Sequence, residues 1–251
     1  KFINFNNFNG KLLLDNNGAK VNGKTYINGS MSNVIVLIDN LNTMTVTIDS
    51  DAKASSFNFL KEFNYLKSGT NKLNIVIKKS IKSKNWTADI KSDLFASDIE
   101  LNFIDYKKLA NTRGNLSAKF YFSGNKITKI SNLNFFTDNI ILKGSLYFDA
   151  DTNIKKIHIG EYIHEKNNFS TTITYSKDDN RIIKVDGASI DLAGFMKSKN
   201  KKNNNLIFYL NTEKLFYENH FLGKVALNAQ FKNSLLNNIE GKLFNNSIPY
   251  I

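Results

Sequence analysis

The stretch DNIILKGSLYFDAD, residues 138–151, decides the fold. Taken every second residue, one face carries Ile140, Leu142, Gly144, Leu146 and Phe148. The other carries Ile141, Lys143, Ser145, Tyr147 and Asp149. Side chains alternate across a strand, so this is a β-strand with one apolar side and one wetter side. The same alternation recurs along most of the chain. Leu73, Ile75 and Ile77 share a side, as do Trp86, Ala88 and Ile90, and Ile99, Leu101 and Phe103. Further on come Leu116, Ala118, Phe120 and Phe122, then Phe169, Thr171, Ile173 and Tyr175. Phe221, Gly223, Val225, Leu227, Ala229 and Phe231 make one long late face.

Turn residues punctuate these runs: Asn16-Asn17-Gly18, Ser123-Gly124-Asn125, Asp151-Thr152-Asn153 and Lys177-Asp178-Asp179-Asn180. Connections this short join antiparallel neighbours, so the pattern predicts a meander. One segment departs from it. SSFNFLKEFNYLK, 55–67, places Phe59, Phe63 and Leu66 at i, i+4 and i+7, with Ser55 or Ser56 as N-cap and Gly69 past the end. That predicts a short amphipathic helix plugging an open end of the sheet. From Ile154 to Ile163 and from Leu206 to Leu210 both faces are partly apolar, and alternation does not fix which turns inward.

A sheet of a dozen or more strands with one apolar face needs a cover, and one short helix is too small to provide it. Closure into a barrel, folding as a sandwich, and curling into a trough that leaves its apolar face for a ligand all satisfy the pattern. At 251 residues and 41% hydrophobic content the chain has enough apolar material for a large core. The longest apolar run, Val34 to Ile38, has the length of a strand and falls well short of a membrane span. The sequence opens without Met or a signal peptide, which reads as a mature chain or a piece of a longer one, any membrane anchor lying outside it.

The net charge of +12 comes almost wholly from scattered Lys, with Arg only at 113 and 181. Abundant Asn, Lys, Ile, Phe and Tyr fit drift in an A- and T-rich genome better than a built anionic site. KSKNKKNNN, 197–205, reads as a solvated linker. With no Cys, disulfides, thiolate metal sites and Cys nucleophiles are excluded. His158, His164 and His220 lack metal spacing, so no metal and no cofactor is expected. Asp149/Asp151 and Asp178/Asp179 sit in turns, where Asp is favoured for backbone reasons. No P-loop, G-x-S-x-G or dinucleotide fingerprint occurs. Aromatics interleave with Lys in KFYF, 119–122, as in a base-stacking sheet, but they share a face with Leu116, so nucleic acid is not the expected partner. The chain reads as a non-enzyme.

Three stretches carry a family resemblance. ADIKSDLFASDIELNFIDYKKLANTRGNLSAKFYF, 88–122, has a strand ending in a Asp93-Leu94 step, an alternating strand, a short connection and a Gly-initiated strand. Residues 127–196 continue through further hairpins to Val185-Asp186-Gly187-Ala188-Ser189-Ile190-Asp191-Leu192, and the 55–67 segment precedes them. Over roughly residues 30–245 this order resembles the AsmA-like family of bacterial envelope proteins, in particular its DUF3971, YhdP-like branch. LIFYLNTEKLFYENHFLGKVALNAQFKNSLLNNIEGKLF, 206–244, resembles the start of a following repeat. The chain lacks the family's turn prolines, Pro249 being its only Pro.

The resemblance implies an all-β, mostly antiparallel fold: a long curled meander forming a taco-shaped trough. Residues 1–196 would be one trough segment, 197–205 a Lys/Asn-rich linker or loop, and 206–251 the start of the next β repeat of the same sheet. It further implies a bridge-like lipid transfer protein of the periplasm, anchored in the inner membrane outside this chain. Phospholipid would be its cargo between inner and outer membranes, and other envelope proteins its partners. The expected groove lining is Trp86, Ile90, Ile99, Leu101 and Phe103, then Leu116, Phe120 and Phe122. Ile140, Leu142, Leu146 and Phe148 continue it, with Val225, Leu227 and Phe231 in the last part. Two alternatives remain at this level. One is a β-sandwich or solenoid adhesion module of an exported surface protein. The other is an envelope carbohydrate-active enzyme, which would need carboxylates clustered in a cleft.

Overall fold

The computed structural model describes residues 5–27, 29–39, 42–53, 66–101, 106–176, 180–193, 205–217, 220–233 and 235–244. The fold is all-β and mostly antiparallel. In the first part run β1 (Phe5–Asp15), β2 (Gly18–Ile27), β3 (Ser30–Asp39), β4 (Thr43–Lys53), β5 (Leu66–Ser68) and β6 (Thr70–Ser80). They are followed by β7 (Asn85–Asp93), β8 (Asp98–Leu101), β9 (Tyr106–Lys108), β10 (Gly114–Ser123) and β11 (Lys126–Thr137). The second part holds β12 (Ile140–Phe148), β13 (Ile154–His164), β14 (Asn167–Tyr175), β15 (Arg181–Asp191), β16 (Leu206–Tyr217), β17 (His220–Lys232) and β18 (Leu235–Phe244).

Fifteen strands form one sheet in the order β1-β2-β3-β4-β6-β7-β10-β11-β12-β13-β14-β15-β16-β17-β18, and β5-β8-β9 form a small second sheet. β1 and β18 have one neighbour each, so the long sheet is not closed into a barrel. The strands fall into two compact units, β1–β11 and β12–β18, dividing between Asp138 and Asn139. The hairpins follow from turn chemistry. At Asp15–Gly18, the Asp15 carboxylate accepts the Asn17 N–H at 2.7 Å, and Gly18 takes φ +137° where a Cβ would run into the Ile38 carbonyl. At the β12–β13 turn, Asp149 Oδ1 accepts from the N–H groups of Asp151 and Asn153, both at 2.9 Å, and Thr152 adopts φ +66°.

The meander is interrupted where β5, β8 and β9 leave for the small sheet, and again after β15. β15 and β16 pair in parallel, Arg181 opposite Leu206 and Ile190 opposite Leu215. A parallel pair needs a crossover of a dozen or more residues, and residues 192–205 have that length. Of the linker expected at 197–205, residues 197–204 lie outside the described residues. Its last residue is tied in: Asn205 accepts the Arg181 N–H on its carbonyl and the Asn233 N–H on its side chain. Within residues 206–244, β16, β17 and β18 are the last three strands of the long sheet. Of the helix expected at 55–67, residues 55–65 lie outside the described residues. Leu66 and Lys67 are corrected to strand, since Leu66–Ser68 pairs with β8 as β5.

Candidate functional site

In the first unit the register lines apolar residues into rows running across the strands. One row is Leu12–Val21–Val36–Val46–Ile77–Ala88–Phe120–Ile130, apolar on all eight strands. The next holds Val34, Ile48, Ile75, Ile90 and Ala118. The buried cluster Ile27, Val34, Ile48, Leu73 and Ile75 belongs to this face, with Val36, Val46, Ile77 and Ile90 packed against it. Its members come from β2, β3, β4, β6 and β7, which are neighbours in one sheet. The core thus runs sideways along one face. Phe120 and Phe122 stay half-buried there, and the Trp86 indole stacks on Phe122 at 3.7 Å while donating its N–H to the Gly124 carbonyl.

The second unit repeats the arrangement. Leu146–Ile157–Ile173–Ile183–Phe208–Ala229–Ile239 is apolar on all seven strands. Beside it, Leu142 faces Tyr162, which faces Phe169 with ring centroids 4.9 Å apart. The cluster Tyr162, Phe169, Ile190, Leu210, Leu215 and Val225 again comes from successive strands, β13 to β17. Burial, then the nearby Glu165, pushes the Tyr162 hydroxyl up to about 12. Bulges at Lys143/Gly144 and Ile159/Tyr162 shift the pairing, and the same side chains still face the apolar side across them. Where alternation left the face open, register settles it: Ile157, Ile159 and Tyr162 belong to the apolar side and Ile163 to the other. Leu206, Phe208 and Leu210 likewise oppose Ile207 and Tyr209.

Twelve of the fifteen expected lining residues lie on these faces. In the first unit they are Trp86, Ile90, Leu116, Phe120 and Phe122. In the second they are Ile140, Leu142, Leu146, Phe148, Val225, Leu227 and Phe231. Ile140 is 1% exposed and so acts as core, whereas Leu142, Leu146, Phe148, Leu227 and Phe231 remain half-buried. Ile99 and Leu101 are corrected: they sit in β8 of the small sheet, 3% and 9% exposed, with Leu101 opposite the buried Tyr106 of β9. Their strand is too short to span the long sheet and pairs only with β5 and β9. Phe103 lies outside the described residues.

Sequence reasoning missed how the small sheet is held. It docks at the β6–β7–β10–β11 strand ends, on the apolar side. The Ser97 hydroxyl donates to Asn71 Oδ1, and the Tyr106 hydroxyl to Thr137 Oγ1 at 2.6 Å. Lys108 is 3% exposed, and its ammonium donates to the carbonyls of Ser97 at 2.9 Å, Leu109 at 3.1 Å and Phe95 at 3.4 Å. Its side chain crosses Gly114, where a Cβ would meet Lys108 Cε at 2.5 Å. Burial lowers the Lys108 pKa, partly offset by Asp98.

The opposite faces are mixed, with Ile163, Ile182, Ile207 and Tyr209 among charged and polar groups. Lys143 pairs with Glu161 at 2.6 Å, Lys119 with Asp89 at 3.4 Å, and His158 hydrogen-bonds Thr172. Among the described residues no group of His, Asp and Glu has the arrangement of a metal site. No family model, curated protein or solved structure matches this chain.

Proposed function

We propose that the apolar faces carry phospholipid acyl chains, and that the chain is a segment of an AsmA-like, bridge-like lipid transfer protein. In this reading it works in the bacterial periplasm, held at the inner membrane by an anchor outside these residues. The observation behind the proposal is the apolar row that crosses every strand of each unit's long sheet, on a face where Phe120, Phe122, Leu142, Leu146 and Leu227 stay only half-buried beside the packed clusters. A sandwich adhesion module would build its clusters from facing sheets instead. An acyl chain laid across such a row removes methylenes from water at about 0.8 kcal/mol each, on the order of 10 kcal/mol for a whole chain before ordering costs. Arg181 and Lys79 lie at strand ends on the apolar side, where a phosphate head group would meet water.

The test is face-specific photocrosslinking. A benzophenone amino acid at Leu142 or Leu227 is expected to give phospholipid adducts, and one at Lys143, on the other face, none. Equal labelling at Lys143, or no adduct anywhere, would remove the proposal.

A further inference from the structure

The polar side of the first unit carries a second groove, of about 720 Å³. Two adjacent cross-strand rows build it. One is Lys24–Asn33–Asp49–Asn74–Lys91–Ser117–Asn134. The other includes Asp51, Lys72, Asp93, Asn115 and Phe136. Six strand steps of about 4.8 Å make the first row roughly 29 Å long. Several contacts are settled within it: Asn74 donates to Asp49 at 2.7 Å, Asn134 donates to the Asn132 carbonyl at 2.9 Å and to Ser117 Oγ at 3.4 Å, and Asp93 accepts the Phe95 N–H at 2.9 Å. The side chains of Lys24, Asn33, Asp51, Lys72, Lys91 and Asn115 have no hydrogen-bond or ion-pair partner among the described residues. Opposite charges thus stand in register, Asp51 beside Lys72 beside Asp93, without pairing. Phe136, with Arg113 over its ring at 4.8 Å, forms one end wall.

We infer that this groove binds a neutral oligosaccharide. Three Lys and three Asp balance along the two rows, and Arg113 at the end wall adds a single positive charge, although the chain carries +12. That balance disfavours a nucleic acid or an acidic polymer, which needs a cationic track. The open groups are donors and acceptors interleaved with amides, and a sugar hydroxyl both donates and accepts. A peptide docks by adding a strand at a sheet edge, whereas this groove crosses strands whose backbone is already paired. The volume falls in the usual range for ligand sites. The inference does not depend on the lipid reading, since the side chains of both rows belong to the face opposite the apolar rows, and only the strand positions between them, Leu73 and Leu116 included, are shared with that face.

The experiment is isothermal titration calorimetry of the whole chain with maltohexaose, cellohexaose and chitohexaose, and with dextran sulfate as the acidic probe. Saturable binding of at least one neutral hexaose is expected, with a dissociation constant of about 1 mM or tighter and little salt dependence. Asn33→Ala with Asn115→Ala is expected to weaken it at least tenfold, with Lys72→Ala as an independent variant, circular dichroism confirming that each folds. No saturable heat with any neutral hexaose would overturn the inference. So would unchanged affinity in both folded variants, or binding of dextran sulfate alone.

Discussion

Replacing Phe120 by Asp places a carboxylate in the middle of the apolar row of the first unit, between Ala88 and Ile130 and beside Phe122. Phe120 is half-buried, so its ring both packs on neighbours and offers surface to a ligand. A ring of that size covers about four methylenes of an acyl chain, and at about 0.8 kcal/mol each their loss is worth roughly 3 kcal/mol. That is about a hundredfold in affinity before any cost of desolvating the carboxylate. The assay is fluorescence titration with pyrene-labelled phosphatidylcholine, run beside urea denaturation of the same preparations. The expected result is a loss of about a hundredfold in lipid affinity by a variant that still unfolds cooperatively. Unchanged lipid affinity in the folded variant would refute the reasoning, because the ligand would then lie elsewhere.

Three further outcomes follow from the packing. Ile48 is 1% exposed at the centre of the first cluster, so Ile48→Ala should lower stability by about 2–5 kcal/mol in urea denaturation, the range for buried cavities. Lys108→Ala leaves the carbonyls of Ser97, Leu109 and Phe95 without their donor, at a cost of about 1–3 kcal/mol, and hydrogen exchange should rise across β8 and β9 more than in β3 and β4. Tyr162 favours its neutral form in the fold. Its contribution to stability is complete below pH 10.0 and is lost as pH climbs towards about 12. The absorbance titration of the native protein minus that of Tyr162→Phe should therefore show a midpoint near 12, and a midpoint near 10.0 would mean the ring is solvated.

Face membership was legible because a period of two leaves no freedom. Leu142, Leu146, Phe120 and Leu227 land on the apolar side because the residues two positions away from each are apolar or Gly. What alternation does not encode is the sheet a strand joins. Ile99 and Leu101 alternate as cleanly as Leu116 and Phe120, yet β8 spans only Asp98–Leu101 and packs in the small sheet. The parallel step at β15–β16 was hidden for a related reason: the 192–205 connection carries no apolar period that marks a crossover. The polar groove is invisible along the chain because Asn33, Asp49, Asn74 and Lys91 meet only through register. A signal did exist. Each belongs to the polar side of its strand, and aligning β3 with β4 and β6 with β7 on their short connections would have paired Asn33 with Asp49 and Asn74 with Lys91.

The central claim is that lipid covers the apolar faces, and native mass spectrometry of the purified chain, with extraction of whatever is bound, tests it most directly. Phospholipid is expected to co-purify with the wild-type protein and to be absent from Leu142→Asp. A lipid-free mass from a protein that also takes up no added phospholipid would contradict it, and would mean that the apolar rows are covered by protein.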